Sequence, residues 1–188
     1  MKKILLAVFA MAITFGFGAG NASAQMKNSN PMVGGAAMYK TKDIVDNAVN
    51  SKDHTTLVAA VKAAGLVETL KGKGPFTVFA PTNAAFDALP SGTVAMLLKP
   101  ENKAMLAKIL TYHVVAGNMD SKAIAKAIKK GKGKAMFKTV AGGMLTATMD
   151  GDVLVLTDEK GGMSRVTIAD VRQSNGVIHV VDTVLMPN

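Results

Sequence analysis

The chain has 188 residues, no cysteine, and 22 basic against 13 acidic residues, which gives a formal net charge of +9. This length suits a single domain that buries roughly 70% of its unfolded surface. The absence of cysteine excludes disulfide cross-links and a cysteine nucleophile. The positive charge favours anionic partners such as acidic glycans, lipid headgroups or nucleic acid.

The N-terminal residues are typical of a secretory signal peptide. Lys2 and Lys3 precede an uncharged run over residues 4–20, and Ala22-Ser23-Ala24 supplies a small-x-small cleavage motif. A transmembrane anchor is the alternative, but this run is shorter than the ~20 apolar residues that cross a bilayer. We predict a signal peptide over residues 1–24, cleavage near Ala24 and secretion to the periplasm or cell exterior, with no transmembrane span in the mature chain.

Residues 25–40 carry no periodic pattern. We predict a flexible N-terminal arm there, followed by one domain over residues 41–188. Helical spacing begins near Asp43. Asp53 is expected to cap a second helix, because a carboxylate accepts the free N–H groups of a first turn. Gly65 is expected to end that helix in a left-handed conformation.

The middle of the chain mixes short strands and helices. Residues 76–80 form an apolar run that predicts a buried strand, and residues 111–115 predict a second strand. Two helices are predicted between them, over residues 93–98 and 101–110. Residues 121–130 place isoleucines on one face and lysines on the other, which predicts an amphipathic surface helix.

The last third of the chain changes to period two. Apolar runs over residues 144–149 and 153–157 flank Asp150-Gly151, a strong hairpin signal because both residues tolerate positive φ. Two further strands are predicted over residues 165–170 and 177–185. Helices followed by strands indicate an α+β fold rather than alternating βαβ units.

Three segments together resemble the motifs of one protein family. Residues 74–86 (GPFTVFAPTNAAF) resemble the first conserved box of the fasciclin family, and residues 175–187 (NGVIHVVDTVLMP) resemble its second box. Residues 110–115 (LTYHVV) are similar to the tyrosine–histidine motif of that family. The three occur in the family's order and spacing, and the resemblance covers about residues 41–187.

The resemblance implies a compact wedge of about seven β-strands packed with several α-helices. It also implies adhesion between cells or between cells and matrix. Tyr112 and His113 lie in the tyrosine–histidine motif, which is implicated in adhesion. Asp170-Val171 matches an Asp-Ile pair that is implicated in receptor binding in animal matrix members, with Val in place of Ile. The resemblance therefore implies partner contacts at these four positions, with the Asp-Val pair in an exposed loop.

Physical chemistry gives the conserved boxes a structural role first. Thr77 lies in a strand whose two faces are both covered, and either Thr82 or Asn83 is placed to cap a short helix. His179 lies in the long final strand, and an isolated histidine on a strand is more often a hydrogen-bonded core residue than a ligand. We therefore assign Thr77, Asn83 and His179 to the stability of the fold.

Seven lysines are concentrated in residues 121–138, a segment that contains no acidic residue. One interpretation is a solvated helix face followed by a flexible loop. The other is an electrostatic docking patch for an acidic polysaccharide. We call these residues the lysine surface: Lys122, Lys126, Lys129, Lys130, Lys132, Lys134 and Lys138.

The sequence offers no catalytic or metal-binding pattern. It has no Gly-x-Ser-x-Gly elbow and no P-loop, and its three histidines lack the spacing of a zinc site. We predict that the protein is not an enzyme and has no cofactor or metal. Nucleic acid is disfavoured, because Phe137 is the one aromatic residue of the lysine segment, where single-strand binders use several.

Two binding functions remain. The first is an exported, monomeric adhesion or surface-binding module that mediates cell–cell, cell–matrix or envelope contacts. Its partner would be a cell-surface or matrix protein or an acidic polysaccharide. The second is a carrier of an apolar small molecule such as a carotenoid or lipid, as some fasciclin-like proteins are. Methionine adapts to irregular apolar ligands, although it equally fills cores. The methionines concerned are Met96, Met105, Met119, Met136, Met144, Met149 and Met163.

Overall fold

The computed structural model describes residues 30–188, so the predicted signal peptide lies outside the described residues. Within them the chain forms seven α-helices and nine β-strands. The helices are α1 Ile44–Ala48, α2 Thr55–Ala64, α3 Val67–Lys71, α4 Asn83–Asp87, α5 Thr93–Leu97, α6 Lys103–Tyr112 and α7 Ser121–Lys130. The strands are β1 Met32–Val33, β2 Ala36–Ala37, β3 Phe76–Pro81, β4 Val114–Ala116, β5 Lys134–Lys138, β6 Met144–Asp150, β7 Val153–Thr157, β8 Met163–Gln173 and β9 Gly176–Val181.

Seven of the strands form one sheet in the order β4-β3-β9-β8-β7-β6-β5. Neighbouring strands are antiparallel, except that β3 and β9 are parallel. The two ends of this order meet, because Val115 bridges to Thr139 and the Val140 N–H donates to the Val114 carbonyl at 2.8 Å. The sheet is therefore nearly closed into a barrel. With its helices it confirms the predicted α+β class.

Two apolar cores lie on either side of the central strands β3 and β9. On β3, Val78 and Ala80 belong to one core, which is built mainly with helices α1, α2 and α6. Phe79 points to the other core, which lies inside the curled sheet and is covered by α7. We call these the helical core and the sheet core. Their opposite positions explain why residues 76–80 are apolar on both faces.

Two local signals act as the sequence predicts. Gly65 ends α2 with φ of 72°, the left-handed conformation that a helix C-terminus favours. The predicted β6–β7 hairpin forms, with its turn one residue later than the Asp150-Gly151 signal. Asp150 pairs with Val153, so Gly151 and Asp152 are the two central residues, and Gly151 has φ of 58°.

The predicted strand over residues 111–115 is wrong in its first half. Helix α6 continues to Tyr112, and β4 begins only at Val114. The Thr111 hydroxyl donates to the Ala107 carbonyl at 2.7 Å, one helical turn back. Tyr112 is fully buried in the sheet core. Tertiary packing therefore overrides the preference of this β-branched and aromatic run for a strand.

The predicted flexible arm also differs where the structure describes it. Residues 30–40 contain the small hairpin β1–β2, and Val33 and Met38 are buried in the helical core. The Lys52 N–H donates to the Gly34 carbonyl at 3.1 Å, which attaches the hairpin to the segment before α2. Val33 and Met38 are too few and too far apart to give a periodic pattern. The sequence therefore did not predict the hairpin.

Candidate functional site

The lysine surface extends over two adjoining elements. On α7, Lys122, Lys126, Lys129 and Lys130 are exposed. At 100° per residue they fall within an arc of about 100° on one side of the helix. The opposite side packs on the sheet core through buried isoleucines. The predicted amphipathic helix is therefore confirmed with its lysines facing solvent.

The second half of the lysine segment is a strand and not a flexible loop. Lys134 and Lys138 point outward on β5, while Ala135 and Phe137 alternate with them and pack on the sheet core. The turn from α7 into β5 is tight, because a Cβ on Gly131 would lie 1.9 Å from the Lys134 carbonyl oxygen. Lys132 in this turn has φ of 56°. The cationic side chains are therefore carried by a defined backbone.

Acidic side chains leave the lysine surface largely unneutralised within residues 30–188, where the charge of Lys122 contributes to the lowered pKa of Asp120. None of the ion pairs in that part of the chain includes a residue of the lysine surface. The segment contributes +7 of the formal net charge of +9. Seven neighbouring, solvent-exposed charges of one sign create a positive field that attracts anionic polymers.

The loop over residues 117–120 leads into α7 and is held by two residues of the conserved boxes. The Thr77 hydroxyl donates to the Gly117 carbonyl at 2.7 Å and accepts the Met119 N–H at 2.9 Å. His179 Nε2 lies 2.9 Å from the Met119 carbonyl oxygen, and its ring stacks on Phe79 with centroids 5.6 Å apart. Thr77 and His179, which we predicted to be structural residues, therefore both hold the loop over residues 117–120 in place.

Asp170 and Val171 lie in strand β8 and not in an exposed loop. Asp170 accepts the Ser121 N–H at 2.6 Å and the Ser121 hydroxyl at 2.5 Å, so its carboxylate holds the first residue of α7. It has φ of 61° at an irregular register between β8 and β9. Val171 is 0% exposed and packs in the helical core. The pair does not form the exposed contact loop that the resemblance implies.

A second contact joins β8 to the start of α7. Arg172 Nη2 lies 2.8 Å from Asp120 Oδ2. Asp120 also caps α7 by accepting the Ala123 N–H at 2.9 Å. That hydrogen bond, with the positive charge of Arg172, lowers the pKa of the Asp120 carboxyl group. Strand β8 therefore fixes where the cationic helix begins.

Tyr112 and His113 are interior residues, 0% and 3% exposed. The Tyr112 hydroxyl donates to the Met144 carbonyl at 2.7 Å and accepts the Glu159 N–H at 3.2 Å, which ties β6 to the end of β7. Burial raises the pKa of Tyr112 to about 12. In this fold neither side chain offers a surface to a partner, so the predicted contact role is not supported by their position.

His113 connects helix α6 to the C-terminal segment. The Leu185 N–H donates to Nε2 at 3.0 Å, so the ring proton lies on Nδ1, which is 2.9 Å from the Ile109 carbonyl oxygen. Burial lowers the pKa of His113 to about 4. The residue is therefore neutral at pH 7, and protonation would destroy the acceptor that Leu185 uses.

Asn83 caps a helix other than its own. Its carbonyl oxygen accepts the Thr56 N–H at 3.0 Å in the first turn of α2, and its amide donates to the Lys52 carbonyl at 2.8 Å. Thr82 is the residue that caps α4. Asp53, predicted to cap α2, makes no such bond. We predicted that Asn83 caps a helix, but the helix that it caps is α2 and not α4. Its hydrogen-bond partner Thr56 lies 27 residues earlier in the sequence.

Sequence reasoning missed two buried polar anchors. Asp158 is 8% exposed and accepts N–H groups from Gly162 at 2.7 Å and Met186 at 2.9 Å. Asn175 accepts the Ile44 N–H at 3.1 Å and donates to the Leu70 carbonyl at 2.8 Å. Asn175 opens the second conserved box, but nothing local identifies its hydrogen-bond partners, which are far away in sequence.

Comparisons with known proteins agree with this architecture. The family model for the fasciclin domain matches residues 52–187, and the chain belongs to this family. Protein sll1483 of Synechocystis sp. is 48% identical over 169 residues, with 88% of this chain and 86% of that protein aligned. The cell surface glycolipoprotein MPB83 of Mycobacterium bovis is 34% identical over 174 residues, with 89% and 71% covered.

A solved structure shows the same fold. The FAS1 domain pair of the insect cell adhesion molecule Fasciclin I aligns with a TM-score of 0.69 at 16% identity, over 77% of this chain and 51% of that one. The fold predicted from the three motifs is therefore confirmed. Among the helices of residues 30–188, none has the length and apolarity required to cross a bilayer.

Proposed function

We propose that the protein is an exported, non-catalytic surface-binding module of the fasciclin family, which makes adhesive contacts at the cell envelope or outside the cell. Family membership supports this proposal, as does similarity to a cell surface glycolipoprotein. The particular partner we propose is an acidic polysaccharide. The single observation that supports this choice is the lysine surface, whose exposed lysines form no ion pair within residues 30–188.

The architecture supports a docking role for α7 and β5. Four residues hold the start of the cationic helix, namely Thr77, His179, Asp170 and Arg172. A fixed array of charges loses less side-chain and backbone entropy on binding than a mobile loop would. We therefore propose that these four residues hold the lysine surface in position from beneath it. They do not contact the partner themselves.

The experiment is a titration of the secreted protein with an acidic polysaccharide and with a neutral one of similar length. Binding to the acidic polymer alone is expected, and it should weaken steeply with salt, because exposed charges are screened over ~8 Å at physiological ionic strength. The variant Lys122→Gln, Lys126→Gln, Lys129→Gln and Lys130→Gln should lose at least tenfold in affinity while its melting temperature stays nearly constant.

A matched control removes the same charge elsewhere. Four exposed lysines of the helical half that make no ion pair serve this purpose: Lys40, Lys52, Lys73 and Lys103. Their replacement by Gln should change affinity by less than about threefold, since long-range charge alone contributes little at this ionic strength. Equal losses in the two variants would show that net charge, and not the lysine surface, governs binding.

A further inference from the structure

The lysines of α7 form a row along the helix axis. Lys122, Lys126 and the neighbours Lys129 and Lys130 are exposed and follow one another at intervals of three to four residues. At a rise of about 1.5 Å per residue, successive positions are about 5 to 6 Å apart and the row is about 12 Å long. This interval is close to the length of one sugar in an extended polysaccharide. The row therefore matches a linear polymer that carries charge on every sugar.

Both ends of the row are defined by the structure. At its start, the carboxylates of Asp120 and Asp170 lie beside the first turn of α7, and Arg172 forms an ion pair with Asp120 alone. The remaining negative charge repels an anionic chain that continues past Lys122. At the other end, the backbone turns at Gly131 from α7 into β5. About three consecutive sugars therefore fit along the row.

The two lysines of β5 point away from this row. Ala135 and Phe137 of β5 pack on the sheet core, which α7 covers through its buried isoleucines. Because side chains alternate between the two faces of a strand, Lys134 and Lys138 lie on the opposite face of β5. They are about 14 Å apart along the strand. One straight polymer strand that lies on α7 therefore does not reach either of them.

The exposed side of α7 favours a hydrated polymer over a lipid bilayer. Helices that bind at a membrane surface bury large apolar side chains among the lipids. On α7 the exposed residues other than lysine are limited to Ala123, and the large apolar residues Ile124 and Ile128 are buried in the sheet core. The row therefore offers charge to a partner without an apolar surface beside it.

Resting on the function proposed above, we infer that one strand of an acidic polysaccharide binds lengthwise along α7. An anionic group on each of about three consecutive sugars then lies against Lys122, Lys126 and the neighbours Lys129 and Lys130. The lysines of β5 add to the positive field that attracts the polymer but do not contact it. The partner is thus a linear polymer that is charged on every sugar, and not one in which charged and neutral sugars alternate.

The first test compares fragments of polygalacturonate, which is charged on every sugar, with fragments of hyaluronan, which is charged on every second sugar. Calorimetry on the full secreted chain should show that galacturonate affinity rises steeply up to about three to four sugars and slowly thereafter. Hyaluronan fragments of equal length should bind severalfold more weakly, since each exposed ion pair contributes at most about fivefold in affinity. Equal affinities, or a steep rise that continues to twice this length, would overturn the inference. So would tighter binding to phosphatidylglycerol vesicles.

Two pairs of substitutions remove the same charge from the two parts of the lysine surface. Lys126→Gln with Lys129→Gln should weaken galacturonate binding about fivefold. The pair should also lower the slope of log affinity against log salt by about two, because each contact that is lost releases one counterion fewer. Lys134→Gln with Lys138→Gln should weaken binding less than about twofold and leave the slope unchanged. All four lysines are exposed, so both variants should keep their melting temperature.

The outcomes separate this inference from the function on which it rests. Equal losses of affinity and of salt slope in the two variants would leave an acidic polysaccharide as the partner and overturn the assignment to the row on α7. Absence of binding between the unmodified chain and both polymers would overturn the proposed function and this inference together.

Discussion

The two halves of the molecule differ in how completely their interiors are filled. The sheet core packs large side chains to full burial, including Tyr112, Leu145 and Leu156 at 0% exposure. The helical core is built from more elements yet keeps an apolar cavity of about 60 Å³ between the β1–β2 hairpin, α1, α2 and the sheet. Close-packed interiors normally leave few voids of this size. The two halves therefore differ in packing density, with the less complete packing in the helical core.

The halves also differ in where their charge lies. Acidic and basic residues are interspersed over the helical half, and ion pairs such as Lys71 with Asp46 form there. The sheet half also contains the pairs Arg165–Asp150 and Arg172–Asp120, but its α7 and β5 carry the lysine surface, which is charge of one sign. A rigid, fully packed interior under α7 keeps these charges in place. We therefore propose the lysine surface of α7 and β5, and not the helical half, as the surface that meets an anionic partner.

The largest expected effect comes from the same truncation made in each core. Leu156→Ala in the sheet core should lower the free energy of unfolding by about 4 kcal/mol, and Leu57→Ala beside the cavity by about 2.5 kcal/mol. Leu57 loses fewer contacts, because part of its surroundings is already empty. Urea unfolding at pH 7 measures both values. Equal losses would show that the helical core is packed as tightly as the sheet core.

The next effect is the loss of stability in acid. His113 has a pKa of about 4 in the folded chain against about 6.5 unfolded, so the unfolded state binds more protons between these values. Its contribution is fully present above pH 6.5 and should be lost as the pH falls, by about 3 kcal/mol at pH 4. His54 and His179, whose pKa values burial also lowers, act in the same direction.

Urea unfolding between pH 7.5 and pH 4 tests this window. His113→Asn is the control, because its amide keeps a donor and an acceptor but does not titrate in this range. The variant should be less stable at pH 7 and should lose less stability than the unmodified chain on acidification. Parallel pH profiles for the two proteins would contradict the assignment of this acid sensitivity to His113.

His54 and His113 both border the cavity, so hydrogen exchange at pH 5 should increase first in the helical half.

The smallest effects on stability are expected from replacing Asn83 and Asp170, two polar residues that each stabilise the start of a helix. Asn83→Ala removes the cap of α2 and should cost about 1.5 kcal/mol of stability without changing polysaccharide affinity. Asp170→Ala should cost a similar amount, because it leaves the Ser121 N–H and hydroxyl without their acceptor, and should also weaken polysaccharide binding severalfold. Melting curves and one titration on both variants decide this. Unchanged affinity in Asp170→Ala would show that the start of α7 does not govern the lysine surface.

The sequence by itself determined the family and most of the element order. Turn residues such as Gly65 and Gly151 act through their own backbone preferences, which no distant contact needs to supply. The amphipathic period of residues 121–130 fixes which side of α7 carries the lysines. These features are local in the chain, and local physical chemistry is what a single sequence reports directly.

Only the tertiary structure decided which distant groups those residues meet. Tyr112 belongs to a helix because the sheet core receives its ring, and Asn83 caps a helix that precedes it by many residues. Asp170 lies in a strand whose carboxylate reaches the start of α7. The cavity lies where the short β1–β2 hairpin packs against the helical core. Such contacts depend on packing between elements far apart in the chain, and they cannot be predicted from hydrophobic periodicity or secondary-structure propensity.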